Sequence, residues 1–217
     1  MTPSIMSTDE NSVRSRVAVV ARLVPALSYA IPVAGAALSS ILVMGVMRGM
    51  RFASSTGLSA ATAGLSESGL PVLIALYLAI ICGVAGIVVA VIRLMVPTTT
   101  VSPSAWFFLI GGGLGLIPVA LLWEAESVFI QAISPSSRGV AYAASTIELL
   151  LTLTLVAAPV SLLLLLAGSV WPLSSRSRPK WGPLVALVVV ELALIVAAVA
   201  FQVRISWLHQ IAFAGRM

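Results

Sequence analysis

The sequence predicts an all-α fold, a polytopic membrane helix bundle with five transmembrane helices. Three observations predict it. Apolar residues make up 60% of the 217 and charged residues only 9%. A soluble domain carries about half apolar and a quarter charged. The mean hydropathy is +1.13, more apolar surface than one globular core can hide. Five runs are long enough to cross a bilayer, which takes about 20 apolar residues at about 1.5 Å each.

Taken in order, Leu23 to Met47 is uncharged between Arg22 and Arg48, and Ser68 to Ile92 is uncharged between Glu67 and Arg93. Ala105 to Trp123 follows the breaker VPTTTVSPS and stops at Glu124. Tyr142 to Trp171 contains Glu148, and Trp181 to Val203 contains Glu191. The first run is longer than a signal-peptide core, and Asp9 and Glu10 precede it, so it reads as a retained span. Residues 1–16 read as a flexible polar N-terminal tail, 17–207 as a single transmembrane helical domain, and 208–217 as a short C-terminal tail.

Tryptophans mark the boundaries. Trp106 and Trp123 are about 25 Å of helix apart, close to a hydrocarbon thickness. Trp171 and Trp181 bracket the basic loop, as amphipathic rings do at headgroup level. The basic residues divide between the two sides of a five-span chain. Arg14, Arg16, Arg22, Arg93, Arg176, Arg178 and Lys180 lie on one, and Arg48, Arg51, Arg138, Arg204 and Arg216 on the other. Short loops rich in Lys and Arg stay inside, so the N-terminus and the 172–180 loop are expected inside and the C-terminus outside.

Composition and motifs exclude several classes. The basic residues stand singly between apolar runs, so the pI of about 10.4 does not indicate nucleic acid. One histidine, His209, and one cysteine, Cys82, make no metal site; no metal and no cofactor is expected. The metalloprotease, nucleophile-elbow, phosphate-loop and dinucleotide signatures are missing, and no enzyme is expected. The strand alternation of an outer-membrane barrel is missing too.

Small residues define packing faces. Ala75, Ala79, Gly83, Gly86 and Ala90 follow one another at helical spacing on one face of the second span. Gly111 and Gly115 stand in small-xxx-small register in the third. Lipid provides no hydrophobic drive between helices, so close backbone approach at such residues matters most. Membrane lipids, and other membrane subunits or a homo-oligomer, are the partners this composition implies.

Two glutamates fall within the apolar runs. Glu148 lies roughly 35 Å of helix before Trp171, at the interface, where Ser145 and Thr152 extend a polar stripe. Glu191 lies about 15 Å beyond Trp181, near the middle of the layer. A carboxylate there is costly unless neutral, paired or hydrated. No lysine or arginine stands at that depth, whereas Cys82 and Ser161 do. Pro32, Pro118 and Pro159 free the carbonyls of Ser28, Leu114 and Leu155 there. Glu191 is expected to turn toward other helices and to bury Gln202 on the same face. A proton or cation site and a neutral tie between helices both remain open for it.

Residues from Pro32 to about Val91 resemble the MotA/TolQ/ExbB proton-channel family. That family has a helix beginning P-x-x-G-x-x-G-T, a polar turn, then G-[IL]-S-E-A-L leading into a second helix. Here the text is Pro32-Val33-Ala34-Gly35-Ala36-Ala37-Leu38-Ser39, then MRGMRFASSTGLSAATA within the turn, then Gly64-Leu65-Ser66-Glu67-Ser68-Gly69-Leu70. The chain departs from the pattern at Leu38 and Val72 and adds three further spans. The resemblance implies that Ser39 stands at the pore threonine and Glu67 at the glutamate. It further implies a subunit of an ion-driven energy-transducing complex in a cell inner (plasma) membrane, beside a single-span partner protein, with Glu67 and Ser39 along the ion path, to which the depth of Glu191 adds a third candidate. A non-conducting scaffold or accessory assembly subunit is the alternative.

Overall fold

The computed structural model describes residues 7–52, 58–95, 105–132, 140–170 and 181–214. Six helices carry them: α1 (Ser7–Phe52), α2 (Leu58–Ser68), α3 (Leu70–Met95), α4 (Ala105–Ala132), α5 (Val140–Val170) and α6 (Gly182–Ala214). No strand occurs among the described residues. Five stretches are apolar and long enough to span a membrane: Ala26–Gly49, Ala60–Ile92, Phe108–Ala132, Ala143–Leu165 and Gly182–Ala212. The protein is therefore an integral, multi-pass membrane protein. Trp171, the basic loop 172–180 and the breaker between α3 and α4 lie outside the described residues.

Helix α1 packs against α3, α4 and α5, and α6 packs against α3 and α4. Helices α1, α3, α6 and α4 thus close a four-helix ring, and α5 covers the side formed by α1 and α4. The buried core runs down that ring through Tyr29, Val43, Leu76, Leu122, Val190, Leu194 and Phe201, with Ile147 and Leu151 entering from α5. Outside it, Ile41, Ile74, Ile81, Val88, Ile117, Leu163, Val196 and Val203 are exposed. A helix apolar all round is buried in protein or faces lipid, and this belt faces lipid.

The glycines set how closely the axes approach. A methyl group on Gly35 would collide with Ala75 and lie 3.0 Å from the Pro71 carbonyl oxygen, so α1 and α3 cross there. One on Gly115 would lie 2.8 Å from the Tyr29 carbonyl oxygen, where α1 meets α4. Gly112 receives Val190 of α6. Gly113, by contrast, has open space around it.

The second span is longer than its uncharged run and is broken near its start. Its first part, α2, is rich in alanine, the best helix former. Ser66 and Ser68 turn back to donate to the carbonyls of Ala63 (2.7 Å) and Leu65 (2.8 Å), satisfying hydroxyls that are buried. Pro71 then cannot donate and crowds the carbonyl four residues earlier, and the chain turns at Gly69 into α3. Both terminal tails enter helices: α1 begins at Ser7 and α6 ends at Ala214.

Two span ends lie farther out than charge alone predicts. Helix α4 continues past Glu124 to Ala132, and α6 continues past Val203 to Ala214. Glu126, two residues past the Glu124 that stops the third apolar run, and Arg204, which stops the last one, meet each other inside the bundle. A paired charge no longer ends a span.

Candidate functional site

Glu191 sits on α6 between Val190 and Leu194, all three buried. Its carboxyl group lies against Gly83 of α3, occupying the space a side chain there would fill. The buried face of α6 runs through Leu187, Val190, Glu191, Leu194, Ala198, Phe201, Ile205 and Leu208. Gln202 is exposed, contrary to the expectation that it shares this face. Positions 191, 194, 198, 201 and 205 advance by three and four residues, and this stripe carries the face away from 202.

Gly83 belongs to the small face of α3 with Ala75, Ala79 and Gly86, all buried. That face serves two neighbours in turn. Ala75 meets Gly35 of α1, and Gly83 meets Glu191 of α6.

The opposite wall of the ring is glycine as well. The Tyr29 ring of α1 packs on Gly111, and its backbone on Gly115. Adjacent residues of α4, Gly111 and Gly112, therefore touch Tyr29 and Val190, which places Tyr29 and Glu191 at one level of the bundle. The two lie within electrostatic reach of each other. Tyr29 Oη and Glu191 Oε1 are both fully enclosed and without a hydrogen-bond partner. Buried polar atoms are almost always satisfied, so two orphans at one level mark a site.

Ser161, expected near Glu191 by depth, is buried on α5, a helix that packs on α1 and α4. Cys82, next to Gly83, is half-buried with a free thiol. The carbonyls freed by proline do not serve Glu191 Oε1, which has no partner.

Ser39 and Glu67 lie elsewhere. The buried Ser39 hydroxyl accepts from the Val72 N–H at 3.1 Å. That N–H is among the first in α3 and has no partner in its own helix, so Ser39 caps α3 from a neighbouring helix. Its neighbour Ser40 donates back to the Ala36 carbonyl at 2.8 Å. Glu67 is exposed on α2, and Glu148 is exposed on α5.

A second cluster lies about 20 Å of helix along α6 from Glu191. Arg204 lies 3.6 Å from Glu126 Oε2 of α4, with their side chains 11% and 2% exposed. Arg204 Nη1 donates to the Trp123 carbonyl oxygen at 2.8 Å, and Nη2 donates to Ser127 Oγ at 2.6 Å. The guanidinium carbon stands 3.1 Å from the centre of the Trp123 ring, a cation–π arrangement. Phe201 meets the same ring edge to face, with centroids 5.1 Å apart. Glu126 Oε1 is buried without a partner. The sequence holds a signal for this cluster: Trp123, Glu126 and Ser127 share one helical face, and so do Phe201, Arg204 and Ile205. Nearby, Ser66 Oγ of α2 lies 3.5 Å from His209 Nδ1.

No group of three or more histidine, cysteine, aspartate or glutamate residues able to hold a metal occurs among the described residues. Comparison with family models, curated proteins and solved structures gives no match.

Proposed function

We propose that this integral membrane protein handles protons as a channel-like subunit of an ion-driven complex, and that Glu191 is the residue that carries them. One observation supports the reading above others. A carboxyl group of α6 is buried inside the bundle against Gly83 of α3, with one oxygen enclosed and unpartnered. Intramembrane carboxyls are rare and expensive, and those facing a bundle interior mark ion and proton paths. The chemistry suits a group that binds and releases a proton without leaving a bare charge in the layer.

The resemblance of residues 32–91 adds the wider setting, an inner membrane and a single-span partner protein, and the distribution of basic residues supports an N-terminus inside. In this reading Ser39 holds α3 in place, and Glu67 offers an exposed charge to a neighbour. The protein works with other subunits or with copies of itself.

The alternative, a non-conducting scaffold, draws on the Ser39 cap and the glycine contacts, which serve assembly. Vesicles reconstituted with the native complex, purified through this subunit, separate the two. A proton-carrying Glu191 predicts that Glu191→Gln assembles normally and loses dye-reported proton flux. A scaffold predicts the same flux in both proteins.

A further inference from the structure

We propose that Tyr29 is the second residue of the Glu191 site, and that the phenol and the carboxyl share one bound water as a proton-binding dyad. The proposal rests on the reading of Glu191 as a protonatable group and adds to it a residue and a ligand. Four observations converge on it. Tyr29 Oη and Glu191 Oε1 are both buried and unpartnered. Their residues are 2% and 5% exposed, on α1 and α6 respectively. Gly111 touches Tyr29 and the adjacent Gly112 touches Val190, the chain neighbour of Glu191, which sets the two at one level. Gly83 of α3 faces Glu191 and Gly111 of α4 faces Tyr29, so at these two positions neither helix presents a side chain to the pair.

The chemistry of the two groups is complementary. The phenol O–H donates and the carboxyl oxygen accepts. One water, accepting from Tyr29 and donating to Glu191, satisfies both orphans, and a buried water needs about two to four such partners. Such a water is also the natural carrier of a proton to or from the carboxyl. The three side-chain oxygens of one phenol and one carboxyl are too few to replace the hydration shell of a metal cation, so the ligand is water and its proton.

Infrared spectra of the whole purified protein in lipid test the dyad. The carboxyl C=O band of Glu191 is the one lost in Glu191→Gln. In Tyr29→Phe, which removes only the hydroxyl, this band shifts to higher frequency as its hydrogen-bonded water is lost. An O–H band sensitive to ¹⁸O-water in the wild type disappears with it. An unmoved Glu191 band in Tyr29→Phe overturns the dyad and leaves the reading of Glu191 intact. A shifted band without an ¹⁸O-sensitive partner overturns the shared water. If no band depends on Glu191, both the dyad and the reading beneath it fall. Should Tyr29→Phe not fold, the phenol C–O stretch of isotope-labelled tyrosine in Glu191→Gln carries the same comparison: a shift of the Tyr29 component supports the dyad, and none overturns it.

Discussion

Arg204 of α6 and Glu126 of α4 form an ion pair at 3.6 Å inside the bundle, with the guanidinium also laid on the Trp123 ring. Two charges are costly out of water, and removing one partner leaves the other buried and alone. The pair is thus a tie whose halves depend on each other.

Either single replacement, Glu126→Leu or Arg204→Met, should destabilise the protein by about 3–5 kcal/mol. The double replacement should recover most of that, because apolar residues of similar volume often match a buried pair. Unfolding of the four proteins in mixed micelles checks this. Additive losses in the double variant would mean that the two charges act independently.

The Ser39 cap gives a second expectation. Ser39→Ala leaves the Val72 N–H buried without a partner, which costs about 1–3 kcal/mol. Ser39→Thr keeps an acceptor and should retain more of the stability. Glu67→Ala, at an exposed position, should stay within about 0.5 kcal/mol of wild type. Equal stability of Ser39→Ala and Glu67→Ala would contradict the assignment of Ser39 to a cap.

Glycine substitutions sort by what a methyl group meets. Gly115→Ala drives against the Tyr29 backbone and Gly35→Ala against Ala75 and α3. Overpacking of this kind costs typically about 1–3 kcal/mol, and backbone cannot swing aside as a side chain does. Gly113→Ala enters open space and should be neutral, or stabilising by up to about 1 kcal/mol through helix propensity. Thermal unfolding of the three variants reads the order. A destabilised Gly113→Ala beside an unaffected Gly115→Ala would reverse it.

These contacts show what the chain discloses before it is folded. Five spans are legible because apolar length is a local property, and the face Ala75, Ala79, Gly83 and Gly86 is legible because helical spacing is too. Which helix each face receives is not local. Nothing near Gly83 announces Glu191, and nothing near Gly111 announces Tyr29. The pairing of Glu126 with Arg204 shows the same limit from the other side. Arg204 looks like the charge that ends one span and Glu126 lies just past the end of another, and only their meeting keeps both inside the bundle. Helix α2 hides for a further reason: its short alanine-rich run carries no strong apolar stripe of its own and is completed by packing against α6. Depth arithmetic set Glu191 near the middle of the layer, but the side of α6 that carries Gln202 depended on the neighbours.

On the proposed function, Glu191 binds and releases a proton inside the bundle. A pH titration of its carboxyl C=O band, assigned by its loss in Glu191→Gln and recorded on wild-type protein in lipid, tests this most directly. The expected band disappears reversibly as the pH is raised and returns as it is lowered, while the helical signal stays constant. A Glu191 band that holds the same intensity at every pH at which the protein remains folded would contradict it.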